Sequence, residues 1–496
     1  MTTTGPVDTP ESVADSISRQ AGRGLRWSLI GTIVTKVGSF AMSLVLARLL
    51  APSDFGTFAI ALAATSFLMH IKDGGLIAAT VQWRGKLEEV APTATTLTAG
   101  FGIVVYGVMW LSAPYFAELA GDRSATPVVR LLTLIVLIDG LTSVRSAALM
   151  RTFQQNKLIV ANSAGLVANA AIAISLAVDG AGAFSFAYGQ VAGAAVTGLL
   201  VLAFVRLPLR LGLDSRIARQ LLRYGVPLAA SLGVEAIVMN AQFLIVGSIA
   251  GPTALGFFLL AFNVASWAQT VLGTAIRYVS VAGFSRLSEQ DHETLSDGVR
   301  RSMPLLVTVV APISALTTVL ATPVVLLLYG GQWAASAPVL EFLAMLTLAR
   351  MITGLAMDAL MGAGATPSTL WVNGGWALAL IPALWVATHV DGIRGAAIAH
   401  AAIGLFVAVP LAALMLHRAR VDVRSVGHAI VRPIVAAVFS SAVAWIVARY
   451  VGPNPLVQLL VGGCVGVLLY VPAAVPLDRL RQGVAMLRRE PAVAAE

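Results

Sequence analysis

The sequence has 496 residues, of which 58% are hydrophobic and only 11% are charged, whereas soluble domains carry about 25% charged residues. This composition excludes an ordinary soluble enzyme and indicates a protein that lies within a lipid bilayer. The formal net charge is +9, but the basic residues are spread through short segments between apolar stretches, so no nucleic-acid partner is expected.

The apolar segments follow one another along the chain after a polar N-terminal stretch. Residues 1–25 mix acidic and basic side chains and contain no apolar core, so they predict a cytoplasmic tail rather than a signal peptide. A bilayer-spanning helix needs about 20 mostly apolar residues. Fourteen stretches meet this requirement, at 26–47, 56–78, 94–116, 127–149, 157–178, 183–205, 224–250, 254–277, 303–329, 335–361, 368–389, 395–417, 429–449 and 455–475.

The distribution of Lys and Arg predicts the orientation of these spans. Most of the 33 basic residues fall in the two termini and the even-numbered loops, and few fall in the odd-numbered loops. Cytoplasmic loops carry an excess of Lys and Arg, so both termini and the even loops are predicted to be cytoplasmic. The single cysteine, Cys464, excludes an intrachain disulfide and a cysteine metal cluster.

Two internal matches indicate that one membrane module is written twice. Residues 127–162 match residues 338–373, and residues 51–61 match residues 251–261 in the same order. Because the second copy starts six spans later, it keeps the orientation of the first, which predicts parallel repeats. The predicted fold class is an all-α integral membrane protein with about 14 transmembrane helices, arranged as two parallel, pseudo-symmetric six-helix lobes plus two C-terminal helices.

The spans and loops divide the chain into seven predicted segments. These are a cytoplasmic tail (1–25), an N-terminal lobe (26–205), a basic cytoplasmic linker (206–223), a C-terminal lobe (224–417), a second cytoplasmic linker (418–428), two C-terminal helices (429–475) and a cytoplasmic C-terminal tail (476–496). The loops are short and carry no P-loop or ATPase motif, so no cofactor is expected. Energy is expected from an H⁺ or Na⁺ gradient or from the downhill movement of the substrate.

Polar residues inside the spans are candidates for a substrate path, because ionisable groups in a bilayer usually face a bundle interior or a wet cavity. On the first span, Thr32, Lys36 and Ser39 lie on one helical stripe, since spacings of three, four and seven residues return to the same face. On the seventh span, Glu235 and Gln242 share a face by the same rule. Alignment of the two lobes places Lys36 close to Glu235.

Two interpretations of the Lys36–Glu235 pair remain open. In the functional one, Lys36 attracts an anion such as a diphosphate as a compact point charge, while Glu235 titrates or gates. In the structural one, the two residues form a buried ion pair that holds the lobes together, or Lys36 snorkels to the interface.

Several other polar groups near the span ends or within the spans have two interpretations each. Lys72 and Arg277 end the second and eighth spans, where they are either interface anchors or a basic mouth that collects phosphates. Asn240 and Asn263 either extend the polar surface of spans seven and eight or bond between helices. His400 on the twelfth span is interpreted as a satisfied helix contact rather than a proton relay.

The fourth and tenth spans also carry charges, which the sequence assigns to packing within each lobe. Asp139 and Arg145 lie on the fourth span, whereas Glu341, Arg350 and Asp358 lie on the tenth. The repeat alignment superposes Asp139 on Arg350, so this position has diverged to opposite charges in the two copies.

Motifs at the start of the chain resemble a known family. The stretches GLRWSLIGTIVTKVGSF, LARLLAPSDFGTFAIALA and KDGGLIAATVQ, together with GFSRLSEQ in the second half, are similar to polysaccharide transporters. These are the Wzx-type oligosaccharide flippases of the multidrug/oligosaccharidyl-lipid/polysaccharide exporter superfamily. The motifs mark the family and do not specify a substrate.

This resemblance implies a flippase of the bacterial plasma membrane that moves an undecaprenyl-diphosphate-linked oligosaccharide to the outer leaflet by alternating access, within surface polysaccharide biosynthesis. Related lipid II flippases line their cavity with spans one, two, seven and eight. The partners implied are the polyprenyl-diphosphate-linked oligosaccharide, membrane lipids and a coupling H⁺ or Na⁺. The predicted substrate-binding residues are Lys36, Glu235, Lys72, Arg277, Thr32, Ser39, Asn240, Gln242 and Asn263.

Two other functions are weighed against the flippase. A drug or cation antiporter of the same superfamily is expected to carry an acid in the cavity of the first lobe, whereas the first span offers Lys36 and no acid. A polysaccharide polymerase or lipid-linked glycosyltransferase needs acids and arginines on a large external loop, and the odd loops are short and hold few of them. The sequence therefore favours a transporter over an enzyme.

Overall fold

The computed structural model describes residues 31, 33–81, 83, 85–152, 154–207, 210–288 and 292–474. Within these ranges, nothing is described of the side chains of residues 70–79, 81, 224, 227–239, 268–288, 292, 294, 366 and 424. The described part of the chain is almost entirely helical and contains no strand. It divides into two compact units, Met1–Gly256 and Phe257–Glu496.

The first unit is a succession of helices joined by short turns. They are α1 (33–49), α2 (Pro52–Val81), α3 (Leu87–Leu119), α4 (Thr126–Leu132), α5 (Ile135–Arg151), α6 (Gln155–Val178), α7 (Phe184–Phe204) and the first part of α8 (Ser215–Ser288). Helix α6 packs along α7 through glycines, since a Cβ at Gly193 would lie only 2.7 Å from the carbonyl oxygen of Gly165. Small residues of this kind let membrane helices approach closely.

The second unit begins within α8 and runs to the end of the described chain. Its helices are the remainder of α8, then α9 (His292–Val319), α10 (Ala321–Leu328), α11 (Ala337–Gly362), α12 (Thr366–Ile403), a π-helical turn (Gly404–Ala408), α13 (Val409–Arg418), α14 (Arg424–Tyr450) and α15 (Pro455–Ala474).

The breaks in the helices agree with the predicted spans in most places. Helix α8 kinks at Gly251, where φ is 81°, and holds two predicted spans, whereas α12 kinks at Asp391–Gly392 and holds the eleventh span and the first part of the twelfth. The ninth predicted span is interrupted near Leu320, because Pro323 lacks the amide hydrogen that would continue α9. Each predicted span therefore coincides with one helix, part of a helix or consecutive helical segments.

Ten helical stretches among the described residues are long and apolar enough to cross a membrane. One of them, Pro367–Arg418, has 52 residues and contains the eleventh and twelfth predicted spans. The predicted all-α membrane fold is confirmed, and the protein is a multi-pass membrane protein.

The two C-terminal helices brace the second unit. Helices α14 and α15 pack on each other and on α9, and Gly466 of α15 lies against Leu316 of α9. The Tyr470 hydroxyl donates a 2.7 Å hydrogen bond to the carbonyl oxygen of Thr308. Each contact joins α15 to α9, so α15 is tied to the core of this unit.

The division between the compact units differs in position from the predicted linker at 206–223. Residues 215–256 of α8 belong to the first unit, whereas the sequence assigns residues from 224 onward to the C-terminal lobe. Close contacts between segment 247–256 and the first helices account for this difference. The predicted domain boundaries follow the sequence repeats, whereas the two units are defined by compactness. The predicted boundaries therefore stay a prediction.

Candidate functional site

Helix α1 exposes two opposite faces of different character. Val34, Val37 and Val45 are 49%, 50% and 42% exposed and form an apolar face, as a helix in contact with lipid requires. At 100° per residue, the exposed side chains of Lys36 and Ser39 lie on the opposite side of the helix. An exposed polar face opposite a lipid-type face indicates a wet cavity, because polar groups are costly in contact with lipid.

Glycines fix how α1 docks on its neighbour. A Cβ added to Gly31 would lie 2.5 Å from Cγ1 of Ile159, and one added to Gly38 would lie 2.6 Å from Cδ2 of Leu166. Ile159 and Leu166 both belong to α6, so the face of α1 that carries the two glycines packs against α6. Lys36 lies on the side of α1 away from these glycines, and the contact with α6 therefore leaves the polar face open.

The side of α1 that carries Lys36 and Ser39 becomes buried toward the C-terminal end of the helix. Leu46, Ala47 and Leu50 occupy the same angular range as Lys36 and Ser39, and they are 0%, 0% and 4% exposed. The face thus changes from exposed and polar to buried and apolar within a few helical turns. We call the buried end of this face, at Leu46, Ala47 and Leu50, the seal.

The seal lies next to a reciprocal backbone contact. A Cβ added to Gly56 would overlap the carbonyl oxygen of Pro252, and one added to Gly256 would overlap the carbonyl oxygen of Pro52. Each copy of the matched segments 51–61 and 251–261 contributes the same proline and glycine. A contact in which each partner makes the same interaction is typical of a two-fold axis. We call residues 52–56 and 252–256 the Pro-Gly contact.

The predicted substrate-binding residues are distributed unevenly over the described structure. Lys36 and Ser39 are exposed on α1, Asn240 is partly buried, Gln242 is 1% exposed and Asn263 is exposed. Thr32 lies outside the described residues, as do the side chains of Lys72, Glu235 and Arg277. The pairing of Lys36 with Glu235 and the roles of the whole set therefore stay predictions.

Arg145 of α5 is buried and holds the segment that follows α7. Its side chain is 2% exposed, and its Nη2 atom donates a 2.9 Å hydrogen bond to the carbonyl oxygen of Leu207. The sequence interpretation of Arg145 as a packing residue agrees with this geometry. The sequence did not predict its partner, because a backbone carbonyl 62 residues away leaves no signal in the side-chain pattern.

Two threonines of α3 hold the same segment farther along. The amide of Gly212 donates to Oγ1 of Thr96, and the amide of Asp214 donates to Oγ1 of Thr93, both at 3.1 Å. Together with Arg145, these bonds tie the segment 207–214 to α3 and α5. We call this set the linker clamp.

A buried polar cluster lies in the second unit, and the sequence did not predict it. The guanidinium of Arg350 on α11 lies 5.2 Å from the ring centre of Phe262, and its Nη2 lies 3.5 Å from Nε2 of His400. His400 is 2% exposed, and its ring meets that of Trp376 edge to face at 6.5 Å. These four residues, which we call the Arg350 cluster, come from α8, α11 and both arms of α12.

Comparison with known proteins identifies the family. A sequence model of a family described as polysaccharide biosynthesis protein matches residues 45–338, which is more than half of the chain. The chain belongs to this polysaccharide biosynthesis protein family. The matched region runs from the end of α1 to the start of α11, so it includes the Pro-Gly contact and the linker clamp.

Two bacterial proteins are similar to this chain over most of their length. The succinoglycan biosynthesis transport protein ExoT of Rhizobium meliloti is 26% identical, covering 98% of this chain and 99% of that protein. The lipopolysaccharide biosynthesis protein WzxC of Escherichia coli is 22% identical over 77% of each chain. The resemblance to Wzx-type transporters is confirmed.

Solved structures show the same fold. The lipid II flippase MurJ in an inward closed conformation superposes with a TM-score of 0.74 over 92% of this chain and 99% of that chain, at 12% identity. An inward-facing multidrug resistance transporter of the multidrug/oligosaccharidyl-lipid/polysaccharide superfamily has a TM-score of 0.65 over 79% of this chain and 95% of that chain, at 16% identity. The fold of this family is therefore shared by lipid flippases and drug transporters.

Proposed function

We propose that this protein translocates an undecaprenyl-diphosphate-linked oligosaccharide from the cytoplasmic to the outer leaflet of the bacterial plasma membrane by alternating access. The observation that carries the proposal is the polar, exposed face of α1, which lies opposite a lipid-type face and closes toward the Pro-Gly contact. The names of the relatives, a succinoglycan transport protein and a lipopolysaccharide biosynthesis protein, support this class of substrate.

The chemistry of the substrate explains why a cation belongs on this face. A diphosphate that crosses a medium of low dielectric constant needs compensating charge, whereas the isoprenoid tail can stay in the lipid. Lys36 provides a compact positive charge on an exposed polar face, and Ser39 adds a hydroxyl one turn away. In this proposal, Lys36 contacts the diphosphate while the sugars occupy the wet cavity.

The proposal also assigns an orientation. The termini and the basic even-numbered loops lie in the cytoplasm, as the distribution of Lys and Arg predicts. The exposed N-terminal half of α1 then opens to the cytoplasm, and the Pro-Gly contact lies toward the outer face. Translocation requires this contact to separate after the substrate is bound. An H⁺ or Na⁺ gradient supplies the energy.

Depletion of the protein in its own host tests the function directly. We expect lipid-linked glycan to accumulate in the cytoplasmic leaflet, measured by leaflet-selective chemical labelling of the sugars. An unchanged distribution of glycan between the leaflets would exclude the flippase. Export of ethidium that depends on the protein, without any effect on glycan, would instead establish the drug-antiporter alternative.

Substitution of Lys36 tests its role. Lys36→Gln is expected to slow glycan translocation about 10-fold or more, because a hydrogen bond to a charged group is worth about 1.5–3 kcal/mol. Lys36→Arg keeps the charge and is expected to retain most of the activity. Lys86→Gln, at an exposed lysine that precedes α3, removes the same charge elsewhere and should have no effect. Equal activity of the two glutamine variants would remove Lys36 from the substrate path.

The Pro-Gly contact is tested by the accessibility of the cavity. In a Cys464→Ser background, we expect Ser39→Cys to react with a membrane-impermeant maleimide from the cytoplasmic side alone. Adding Gly56→Val, whose side chain would overlap the carbonyl oxygen of Pro252, should make Ser39→Cys reactive from both sides. Gly107→Val serves as the control, because a Cβ there meets nothing within 4 Å. Labelling that stays one-sided in the Gly56→Val variant would show that this contact does not close the cavity.

A further inference from the structure

The Arg350 cluster contains a buried cation whose nearest polar partner is itself titratable. Among the described residues, no carboxylate forms an ion pair with Arg350, and its Nε atom is buried without a hydrogen-bond partner. The groups that contact the guanidinium are the ring of Phe262 and the imidazole of His400. Ionisable residues within a membrane span are costly, which makes an incompletely paired arginine a candidate for function.

The contact with Arg350 favours one tautomer of His400. Arginine carries five N–H donors and no acceptor, so a hydrogen bond across the 3.5 Å contact from Nη2 to Nε2 requires the His400 tautomer that has no proton on Nε2. The ring is then neutral, with its single hydrogen on Nδ1. The Nδ1 atom is buried, and no described residue accepts a hydrogen bond from it. The sequence interpretation of His400 as a satisfied helix contact thus holds for one nitrogen only.

Few charged groups lie near His400 among the described residues. Arg350 is the one charged group that acts on it among the described residues. The other ionisable side chains on α11 are Glu341 and Asp358, which lie more than two helical turns from Arg350 in either direction. On α12, the other ionisable residues lie at the kink and are His389, Asp391 and Arg394. The ionisable groups with described side chains in the N-terminal half of α9 are Glu293, Asp297, Arg300 and Arg301, and those at the end of α13 are His417 and Arg418.

The segment that carries His400 lies between two irregular turns of the helix. It is short, because α12 kinks at Asp391–Gly392 and a π-helical turn begins at Gly404. Such turns are rare and occur frequently at functional sites. Gly404 lets the segment approach α11 closely, since an added Cβ would lie 2.7 Å from Leu346 and 3.3 Å from Ala349. A change in charge at His400 can therefore act on a segment with a hinge at each end.

We propose that His400 is the proton-binding site that couples translocation to a proton gradient, with Arg350 as the fixed charge that makes proton binding depend on conformation. This inference rests on the proposed transport function. One proton passes from a hydronium ion to Nε2: an O–H bond of the hydronium breaks, an N–H bond forms, the ring gains one positive charge and a neutral water molecule leaves. The protonated ring cannot accept from Arg350 and is repelled by it, so residues 393–403 must move away from α11. Release of the proton restores the packed arrangement.

Trp376 provides a direct probe of this protonation, because a protonated imidazole quenches a neighbouring indole. The titration uses the full-length protein in lipid nanodiscs and follows tryptophan fluorescence against pH. It is done in a His389→Gln background, since the ring of His389 lies 4.3 Å from that of Trp385 and would report its own titration. The signal of Trp376 is the difference between this protein and the same protein with Trp376→Phe.

The expected result has two parts. The Trp376 signal should show a titration that disappears in His400→Gln. In Arg350→Met, a substitution of similar length without charge, the midpoint should move to higher pH by about one unit or more, because a like charge has been removed. A Trp376 signal that is flat with pH, or a midpoint that Arg350→Met leaves in place, would overturn the proposal. If His400→Gln fails to fold, the Arg350→Met shift decides.

Transport supplies a second readout that a purely structural role would not change. In the parent cells, a protonophore should raise lipid-linked glycan in the cytoplasmic leaflet. In His400→Gln, that level should be high already and should not respond to the protonophore, whereas His389→Gln should behave as the parent. A His400→Gln variant that still responds would exclude His400 as the coupling site. If depletion of the protein leaves the glycan distribution unchanged but the Trp376 titration is observed, the proposed transport function is wrong and the proposed proton-binding site is retained.

Discussion

Arg145 on α5 and Arg350 on α11 lie on equivalent helices of the duplicated module, yet their partners differ in kind. Arg145 donates to the backbone carbonyl of Leu207, which has a fixed dipole and never titrates. Arg350 contacts an aromatic face and an imidazole, which is a group that can bind a proton. The arginine therefore contacts a backbone carbonyl in one copy and a titratable ring in the other.

Burial of a charged side chain does not by itself indicate whether its role is structural or functional. The role depends on the partner of the charged group. A carbonyl oxygen can only accept a hydrogen bond from the guanidinium, whereas a histidine accepts one when neutral and repels the guanidinium when protonated. The divergence of the two copies at Asp139 and Arg350 agrees with this view, since only the second copy places a cation at that position. Measurements of stability should separate the two arginines.

The largest expected effect is at Arg145. Arg145→Met should lower the free energy of unfolding by about 2–3 kcal/mol, because the carbonyl of Leu207 loses a charged donor and the linker clamp opens. Denaturation in mixed micelles measures the change. Arg219→Met, at an exposed arginine on α8, is the control and should change stability by less than about 0.5 kcal/mol. Equal effects of the two substitutions would contradict a structural role for Arg145.

A smaller effect is expected at the other end of the linker clamp. Thr93→Val keeps the shape of the side chain, which is 2% exposed, but removes the acceptor for the amide of Asp214. The loss of one neutral hydrogen bond should cost about 1 kcal/mol in the same denaturation assay. Hydrogen exchange at residues 210–214 should rise in Thr93→Val, and an unchanged exchange rate would show that Thr93 does not hold the segment.

The smallest effect on stability is expected at Arg350. Arg350→Met removes an incompletely paired buried charge, so the free energy of unfolding should change by less than about 1 kcal/mol and can increase. Removing Arg350 leaves no carboxylate unpaired among the described residues, in contrast to the carbonyl left by Arg145→Met. A loss as large as that of Arg145→Met would make the Arg350 cluster a structural element and erase the difference between the two copies.

The sequence predicted much of this fold because its physical basis is local. Apolar stretches of spanning length locate the helices, and the kinks at Gly251 and Asp391–Gly392 fall where glycine separates two such stretches. The match between segments 51–61 and 251–261 also marks the two halves of the Pro-Gly contact. The sequence could not predict that the two segments are in contact, because a repeat shows that two segments are similar in sequence and says nothing about the distance between them.

The Arg350 cluster and the linker clamp lay beyond sequence analysis for related reasons. His400 is 50 residues from Arg350, and their contact depends on how α12 bends and packs on α11. The linker clamp uses backbone groups of residues 207–214, which carry no side-chain signature. In α1, by contrast, the stripe of polar residues follows helical spacing alone, and its exposure at Lys36 and Ser39 agrees with a cavity wall.

The π-helical turn at Gly404–Ala408 allows the hinge to be removed without disturbing its surroundings. A wide turn of this kind accommodates one additional residue while the helices on both sides keep their faces. A deletion of one residue from this turn should therefore yield a regular α-helix in which residues 393–403 and α13 still present the same side chains to α11. Such a protein would retain every group of the Arg350 cluster and lose one of the two hinges of residues 393–403.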